Sequence, residues 1–344
     1  MSVTMEELAG LANTSTATVS RVLNNKPGVT PATRKRVLDL AGKLGYRPNR
    51  IAQNLALQKS HLLGFIAADL LNSFYIDFFR RVQHRVEKMG YQVLIADSER
   101  NIDEEKHNID VMLHQHAEGM LIFPVHDCRI HTDINHLLEL RVKKYPLVVL
   151  GKVDGRNFDS VTNEEIETAY TMTRHLTDYG HRRIAFIGYE SEDRPVGERF
   201  EGVLRAAHEA GCNIDQSLIL AHRDGWTSDL VDLLTRPDRP TALVIMNDVL
   251  ALLAHRTINE LGLSVPRDLS IVTFGNNIWT RHLKPTLTST AENCGEVARI
   301  AIDLLLKRME DPECPTMQYS VPQDFIVRES TGTCPITSQA HHES

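Results

Sequence analysis

Apolar positions along the chain recur with two different periods. In the first sixty residues they fall three and four apart; from His61 onward they gather in short runs separated by amphipathic stretches. The first pattern predicts three short helices. Thr4 with Glu7 forms a capping box for a helix over 5–11, and "ANTS" turns the chain. Within "TSTATVSRVLNN" (14–25), Val19, Val22 and Leu23 make one narrow apolar stripe. "NKPGV" breaks that helix. Thr30 then caps a third, with Pro31 at its first position, Val37, Leu38, Ala41 and Leu44 on its apolar face, and Arg34, Lys35 and Arg36 towards solvent. Two short helices joined by a tight turn, followed by a third, is the helix-turn-helix arrangement, whose second helix enters a major groove. The side of that helix opposite the stripe carries Thr16, Ala17, Ser20, Arg21 and Asn24, small polar residues that permit close approach to base edges and phosphates.

After Pro48, "NRIAQNLA" has helical spacing but few apolar anchors, and reads as a linker that orders when something binds it. The second pattern begins at His61. Strands are predicted at "LLGFIAA", "YQVLIAD", "GMLIFPV" and "PLVVLG", with helices around 74–89 and 103–116. After about residue 160 the alternation restarts with "RIAFIG", "SLILA", "TALVIM" and "LSIVTF", and helices around 165–179, 197–210, 226–235 and 248–261. Apolar strands alternating with amphipathic helices predict parallel sheets covered on both faces, here two doubly wound α/β subdomains. The division expected is an all-α head over 1–47, a linker over 48–60 and a body over 61–344. The body's first subdomain takes about 61–160 plus 291–315, its second about 161–290 plus 316–330, and 331–344 is a tail. Ligands in such folds sit at the carboxyl ends of the strands, here in the crevice between halves.

Charge sharpens the division. Residues 1–60 hold nine Lys and Arg against three acids, so a chain of net charge −7 is a head of +6 on a remainder of −13. A basic head on an acidic body points to a polyanion as the head's partner. No run of about 18 apolar residues predicts a membrane span, and "MSVTMEELAG" lacks the features of a secretory signal. The five cysteines are far apart and form no CxxC pair, which fits a reducing cytoplasm. His114 and His116 lie two apart and would point to different faces of a helix, so no metal site is expected. No Ser–His–Asp arrangement or phosphate loop appears, so neither an enzyme nor a cofactor is indicated. Phe78 and Phe79 read as packing residues.

"TVSRVLNN", "GVTPATRKRVLDLAGKLGYRPNRIAQNLA", "GHRRIAFIG" and "NDVLALLAHRTINELGLSVPRDLSIVTF" together resemble the lactose-repressor (LacI/GalR) family of bacterial transcription regulators, in order and with matching spacing from about residue 3 to 330. The resemblance implies a cytoplasmic homodimer on a near-palindromic double-stranded operator, with a periplasmic-binding-protein-like body that takes a small effector, a sugar or sugar derivative. The tail lacks the leucine repeat of the family's tetramers. It implies DNA contacts from Thr4, Ser15, Thr16, Ala17, Thr18, Ser20, Arg21 and Asn24 in the head. From the linker it implies Asn49, Arg50, Gln53 and Leu55, the last as a wedge between base pairs. Tyr46 supports the backbone contacts or packs under the third helix. For the effector it implies Asn72, Phe74 and Tyr75 in "DLLNSFY", Arg199 in "GERFEG", Trp226 in "DGWTS", and Asn247 with Asp248 at a strand end. Asn276 belongs to the same set, His126 borders the cleft, and Glu164 fills a family aspartate position. Ser73 stands where the family usually has proline, which implies a looser loop. Gly275 stands where it commonly has aspartate, which makes an anionic effector more tolerable. A solute-binding protein for a transporter would explain the body but not the basic head. A sugar-metabolising α/β enzyme would need a base, nucleophile or phosphate loop.

Overall fold

The computed structural model describes residues 3–23, 25–46, 60–125, 134–153, 158–189, 194–212, 214, 216–222 and 225–335. They divide into two compact units, Met1–His61 and Leu62–Ser344. Asn24, Asn49, Arg50, Gln53, Leu55 and His126 lie outside the described residues.

The first unit is three helices: α1 (Met5–Leu11), α2 (Thr16–Leu23) and α3 (Pro31–Lys43). The capping box is present on both sides: Thr4 Oγ1 accepts from the Glu7 backbone at 3.2 Å, and the Thr4 backbone donates to Glu7 Oε2 at 2.8 Å. Thr30 caps α3 with Pro31 at its start. The core is Leu8, Ala9, Ala12, Val19, Val22, Val37 and Ala41. On α3, Leu40 rather than Leu38 packs against it; Leu38 and Leu44 are 47% and 38% exposed, so the buried stripe is Val37, Leu40 and Ala41, spaced i, i+3, i+4. Arg34 is also placed differently from the expectation. Its guanidinium turns back to the loop after α2, donating to the Val22 and Lys26 carbonyls at 3.3 and 2.7 Å and to Asn25 Oδ1 at 2.8 Å. It staples the turn instead of facing solvent.

The second unit holds two six-stranded sheets. The first is β1 (Leu62–Ala67), β2 (Gln92–Asp97), β3 (Met120–Ile122), β4 (Leu147–Leu150), β5 (Asp159–Asn163) and β11 (Gln318–Val321). The second is β6 (Ile184–Tyr189), β7 (Ile219–His222), β8 (Ala242–Ile245), β9 (Ser270–Thr273), β10 (Thr288–Ala291) and β12 (Asp324–Ile326). Their orders, 2-1-3-4-5-11 and 7-6-8-9-10-12, are matching doubly wound arrangements, parallel except where β12 runs against β10. Helices cover both faces, which is why the strands read as continuous apolar runs: Phe65 faces one core and its neighbour Ile66 the other. Strand β11 lies beside β5, so 318–321 belongs with the first sheet, not with the second subdomain as the sequence division had it.

Candidate functional site

On the first unit, α2 presents Thr16, Ala17 and Arg21 exposed and Thr18 and Ser20 half-buried. Ser15 and Thr18 are engaged with each other: their hydroxyls lie 3.0 Å apart, and Ser15 Oγ accepts the Thr18 N–H at 3.2 Å, which starts the helix. Thr4 likewise spends its hydroxyl on its cap. Arg21 has no acidic partner among the described residues. Tyr46 packs against the core, where burial and then the charge of Glu6 push its phenol above the usual range. The exposed side therefore carries small side chains and one guanidinium, which suits a duplex edge.

The second unit carries a cavity of about 1170 Å³. It opens where the carboxyl ends of strands from both sheets converge, as fold topology requires. From the first sheet come Phe123 and Pro124 after β3 and Asn163 at the end of β5; from the second come Asn247, Asp248 and Asn276 after β8 and β9. Three more helices complete the frame: α4 (Ser73–Glu87), α7 (Glu165–Asp178) and α8 (Arg194–Glu209). Asn72, Phe74 and Tyr75 line it at the start of α4, and Asn72 also caps that helix by accepting from the Phe74 N–H at 3.0 Å. Tyr75 and Phe123 meet edge to face at 4.9 Å between ring centres and make an aromatic wall. Ser73 is not a loose substitute for proline: its Oγ accepts from Asn277 Nδ2 at 3.4 Å, a bond that joins the two subdomains.

Arg199 reaches the cavity but its fork is already filled. Nε and Nη2 donate to the two oxygens of Glu165 at 2.7 and 3.2 Å, and Nη1 to the Met246 carbonyl at 2.8 Å. The guanidinium lies 4.2 Å from the centre of the Phe274 ring. Glycine makes this pairing possible. A Cβ on Gly202 would overlap the Ile166 carbonyl oxygen, so only glycine lets α8 lie close enough to α7.

Carboxylates dominate the deep wall. Asp248, at the start of the helix α10 (Asp248–Glu260), is 6% exposed. Burial pushes it up to about 6, against the backbone N–H groups of Val249, Asp248 and Asn277. Glu292, just past β10, is pushed up to about 7 by burial, opposed by the Arg199 charge. Gly275 has φ +91°, and a Cβ there would stand 2.9 Å from Asp248 Oδ2. The acid missing at 275 thus leaves Glu165, Asp248 and Glu292 as the carboxylates of this wall.

Two expected contacts are not at the cavity. Trp226 is 4% exposed and packs in the apolar core of the second subdomain, because it opens the helix α9 (Trp226–Thr235) facing inward. Glu164 precedes α7, and the next residue, Glu165, is the one that lines the cavity, a slip of one position along "NEEIE". Asn276 lines it, with its Oδ1 accepting from Arg328 Nη2 at 2.5 Å. Sequence reasoning missed Glu292, whose signal was an acid directly after the Thr- and Ser-rich strand β10. It also missed Trp279, 49% exposed at the cavity. Among the described residues no group of three or more His, Cys, Asp or Glu converges as a metal site, and no helix is long and apolar enough to cross a membrane.

Residues 4–49 match the family model for bacterial regulatory proteins of the lacI family, and residues 173–331 match the periplasmic binding protein-like domain. The chain is 31% identical over 337 residues to catabolite control protein A of Priestia megaterium, covering 96% of this chain and all of that one. It is 27% identical over 334 residues to the transcriptional repressor PurR of Aliivibrio salmonicida, covering 95% and 98%. In fold it resembles the lac repressor dimer bound to operator and an anti-inducer, with a TM-score of 0.83 at 23% identity over 96% of this chain and all of that one. The head, the two matched sheets and a relative aligned along nearly the whole chain lead to one conclusion: the protein belongs to the LacI family of bacterial transcriptional regulators.

Proposed function

We propose that this regulator is a cytoplasmic homodimeric repressor of carbohydrate-utilisation genes. Each head binds half of a near-palindromic operator in double-stranded DNA, and a sugar or sugar derivative in the cavity releases it. The observation that carries the reading is one chain joining a helix-turn-helix unit, whose α2 exposes Thr16, Ala17 and Arg21, to a unit whose strand ends enclose a polar and aromatic cavity. Relatives support the effector class: one solved regulator, 26% identical, is a complex with cellobiose, and another, 24% identical, holds ribose. Thr16, Ala17, Ser20 and Arg21 contact the DNA, with Asn24; the linker residues Asn49, Arg50, Gln53 and Leu55 enter at the operator centre. Asn72, Phe74, Tyr75, Asn247, Asp248 and Asn276 contact the effector.

Linkage gives the mechanism. A ligand shifts DNA affinity only as far as it binds the DNA-competent and released forms differently. Cavity walls drawn from both sheets, joined by Asn277–Ser73 and by Lys152–Glu198 at 2.9 Å, supply that difference, because any relative movement of the subdomains changes the walls together. The test is a gel-shift titration on the DNA upstream of its own gene. A discrete complex, weakened by a sugar that binds the purified protein, is expected. Failure to prefer that DNA over random duplex overturns the reading. No enzymatic group is needed, since the chemistry is reversible binding.

A further inference from the structure

We propose that the cavity takes an amino sugar, its ammonium group seated between Asp248 and Glu292 and its ring against the aromatic wall of Tyr75 and Phe123. The inference rests on the effector reading above and names the ligand's class. It follows from matching every charge around the cavity with its partner. Arg199 is spent on Glu165. Lys152 is paired with Glu198 at 2.9 Å, and Arg81 with Asp77 at 2.9 Å. Arg100 is turned to Asp69 at 3.2 Å. Exposed Arg281 donates its Nε to the Asn277 carbonyl at 3.2 Å, and Glu99 is exposed as well, so both belong to the rim. What remains in the depth is Asp248 and Glu292, neither in an ion pair with any described residue, and each feeling Arg199 only through space.

Asp248 is buried and Glu292 half-buried, neither has a counterion, and each makes ionisation of the other more costly. A neutral sugar would offer hydroxyl donors but leave uncancelled the charge of Asp248 and the part of Glu292 that is ionised near neutral pH. A phosphate or sugar acid would add to it. A protonated amine cancels it and donates to both oxygens, the strong charge-assisted case. Gly275 is part of the fit: without a Cβ, its backbone leaves Asp248 Oδ2 reachable from that side, where any side chain would stand within 2.9 Å of it. The aromatic wall and Trp279 suit the apolar C–H faces of a pyranose ring.

The test uses the full-length protein and calorimetric titration near neutral pH. The probes are glucosamine, galactosamine and mannosamine, each against its parent hexose and its N-acetyl derivative, together with glucose 6-phosphate. At least one amine is expected to bind about tenfold or more tightly than both of its neutral counterparts. In Glu292→Gln and in Asp248→Asn, that ratio is expected to fall below about threefold. Equal or tighter binding of a parent hexose, preference for the phosphate, or no binding by any of the three amines overturns the proposal. The wild-type comparison alone decides it should a variant not fold. A neutral sugar or phosphate that binds more tightly than every amine and changes operator affinity overturns the amine inference and leaves the effector reading standing. Bound ligand with operator affinity unchanged overturns the effector reading itself.

Discussion

Arg199 and Glu165 form a two-bond fork, Nε to Oε2 at 2.7 Å and Nη2 to Oε1 at 3.2 Å, with side chains only 12% and 8% exposed. A buried pair of this kind is costly to break from one side, because the surviving charge is stranded. Glu165→Gln is expected to destabilise the body by about 3–5 kcal/mol, and the double variant Glu165→Leu with Arg199→Met to recover much of that loss. Urea unfolding followed by tryptophan fluorescence checks this. The chain's two tryptophans, Trp226 and Trp279, both lie in the second subdomain and report its unfolding. A double variant as unstable as the single one would show that the pair stabilises rather than satisfies itself.

Glu292 predicts a pH dependence. Its folded value, about 7, lies above its ordinary 4.5, so the folded state holds a proton the unfolded chain has released. Its contribution to stability is therefore full at low pH and lost as pH climbs from about 4.5 through 7. Asp248, pushed from 3.8 to about 6, acts in the same sense over a lower window. Glu292→Gln removes the larger of these two effects. Its unfolding free energy should exceed that of the wild type by an amount that grows between mildly acidic and mildly alkaline buffer, on the order of 3 kcal/mol at the plateau, as read by urea unfolding at each pH. A gap independent of pH would show that Glu292 does not change charge on unfolding in that range.

The strands and long helices were legible because burial on both faces writes itself into sequence as apolar runs and stripes. Strands β1, β2, β4, β6 and β8 fall within a residue or two of the predicted runs. Strands β5, β10, β11 and β12 were missed, since they are short and rich in Ser, Thr, Asp and Gln. Tertiary position, not local apolar content, makes them strands. The cavity was legible where a residue type announces itself at a strand or helix end, as at Asn72, Asn247 and Asp248. It was not legible where partners come from afar. Arg199 was read as free to grip a ligand because Glu165 is 34 positions away, and Arg34 as solvent-facing because its acceptors lie across a turn. Trp226 was read outward because nothing local distinguishes a wall aromatic from a core one.

Gly275 carries two constraints that a substitution would separate. Its φ of +91° disfavours any L side chain, and its missing Cβ clears Asp248. Gly275→Ala is expected to cost about 1–2 kcal/mol from backbone strain. Gly275→Asp should cost more, and the excess should grow with pH as a further carboxylate ionises beside Asp248. Thermal melts of both variants across pH check this. An aspartate variant as stable as wild type at alkaline pH would mean that the loop relaxes enough to turn the new acid outward.

Arg34 and Arg21 should separate a structural cation from a DNA-contacting one. Arg34 donates to two backbone carbonyls and Asn25, and so holds the turn between α2 and α3. Arg21 is exposed on α2 and has no acidic partner among the described residues. Binding to a duplex carrying the upstream site is measured by anisotropy over a range of salt concentrations. Arg21→Ala is expected to weaken binding and to reduce the slope of log affinity against log salt by about one, the signature of one lost phosphate contact. Arg34→Ala should weaken binding about tenfold at every salt concentration with the slope unchanged, because it loosens the placement of α2 without removing a phosphate contact. Arg34→Lys should rescue little, since an ammonium cannot span three acceptors with a planar fork. A fall in slope for Arg34→Ala would move Arg34 from the turn to the DNA and leave the turn to be held by Asn25 and the α3 cap alone.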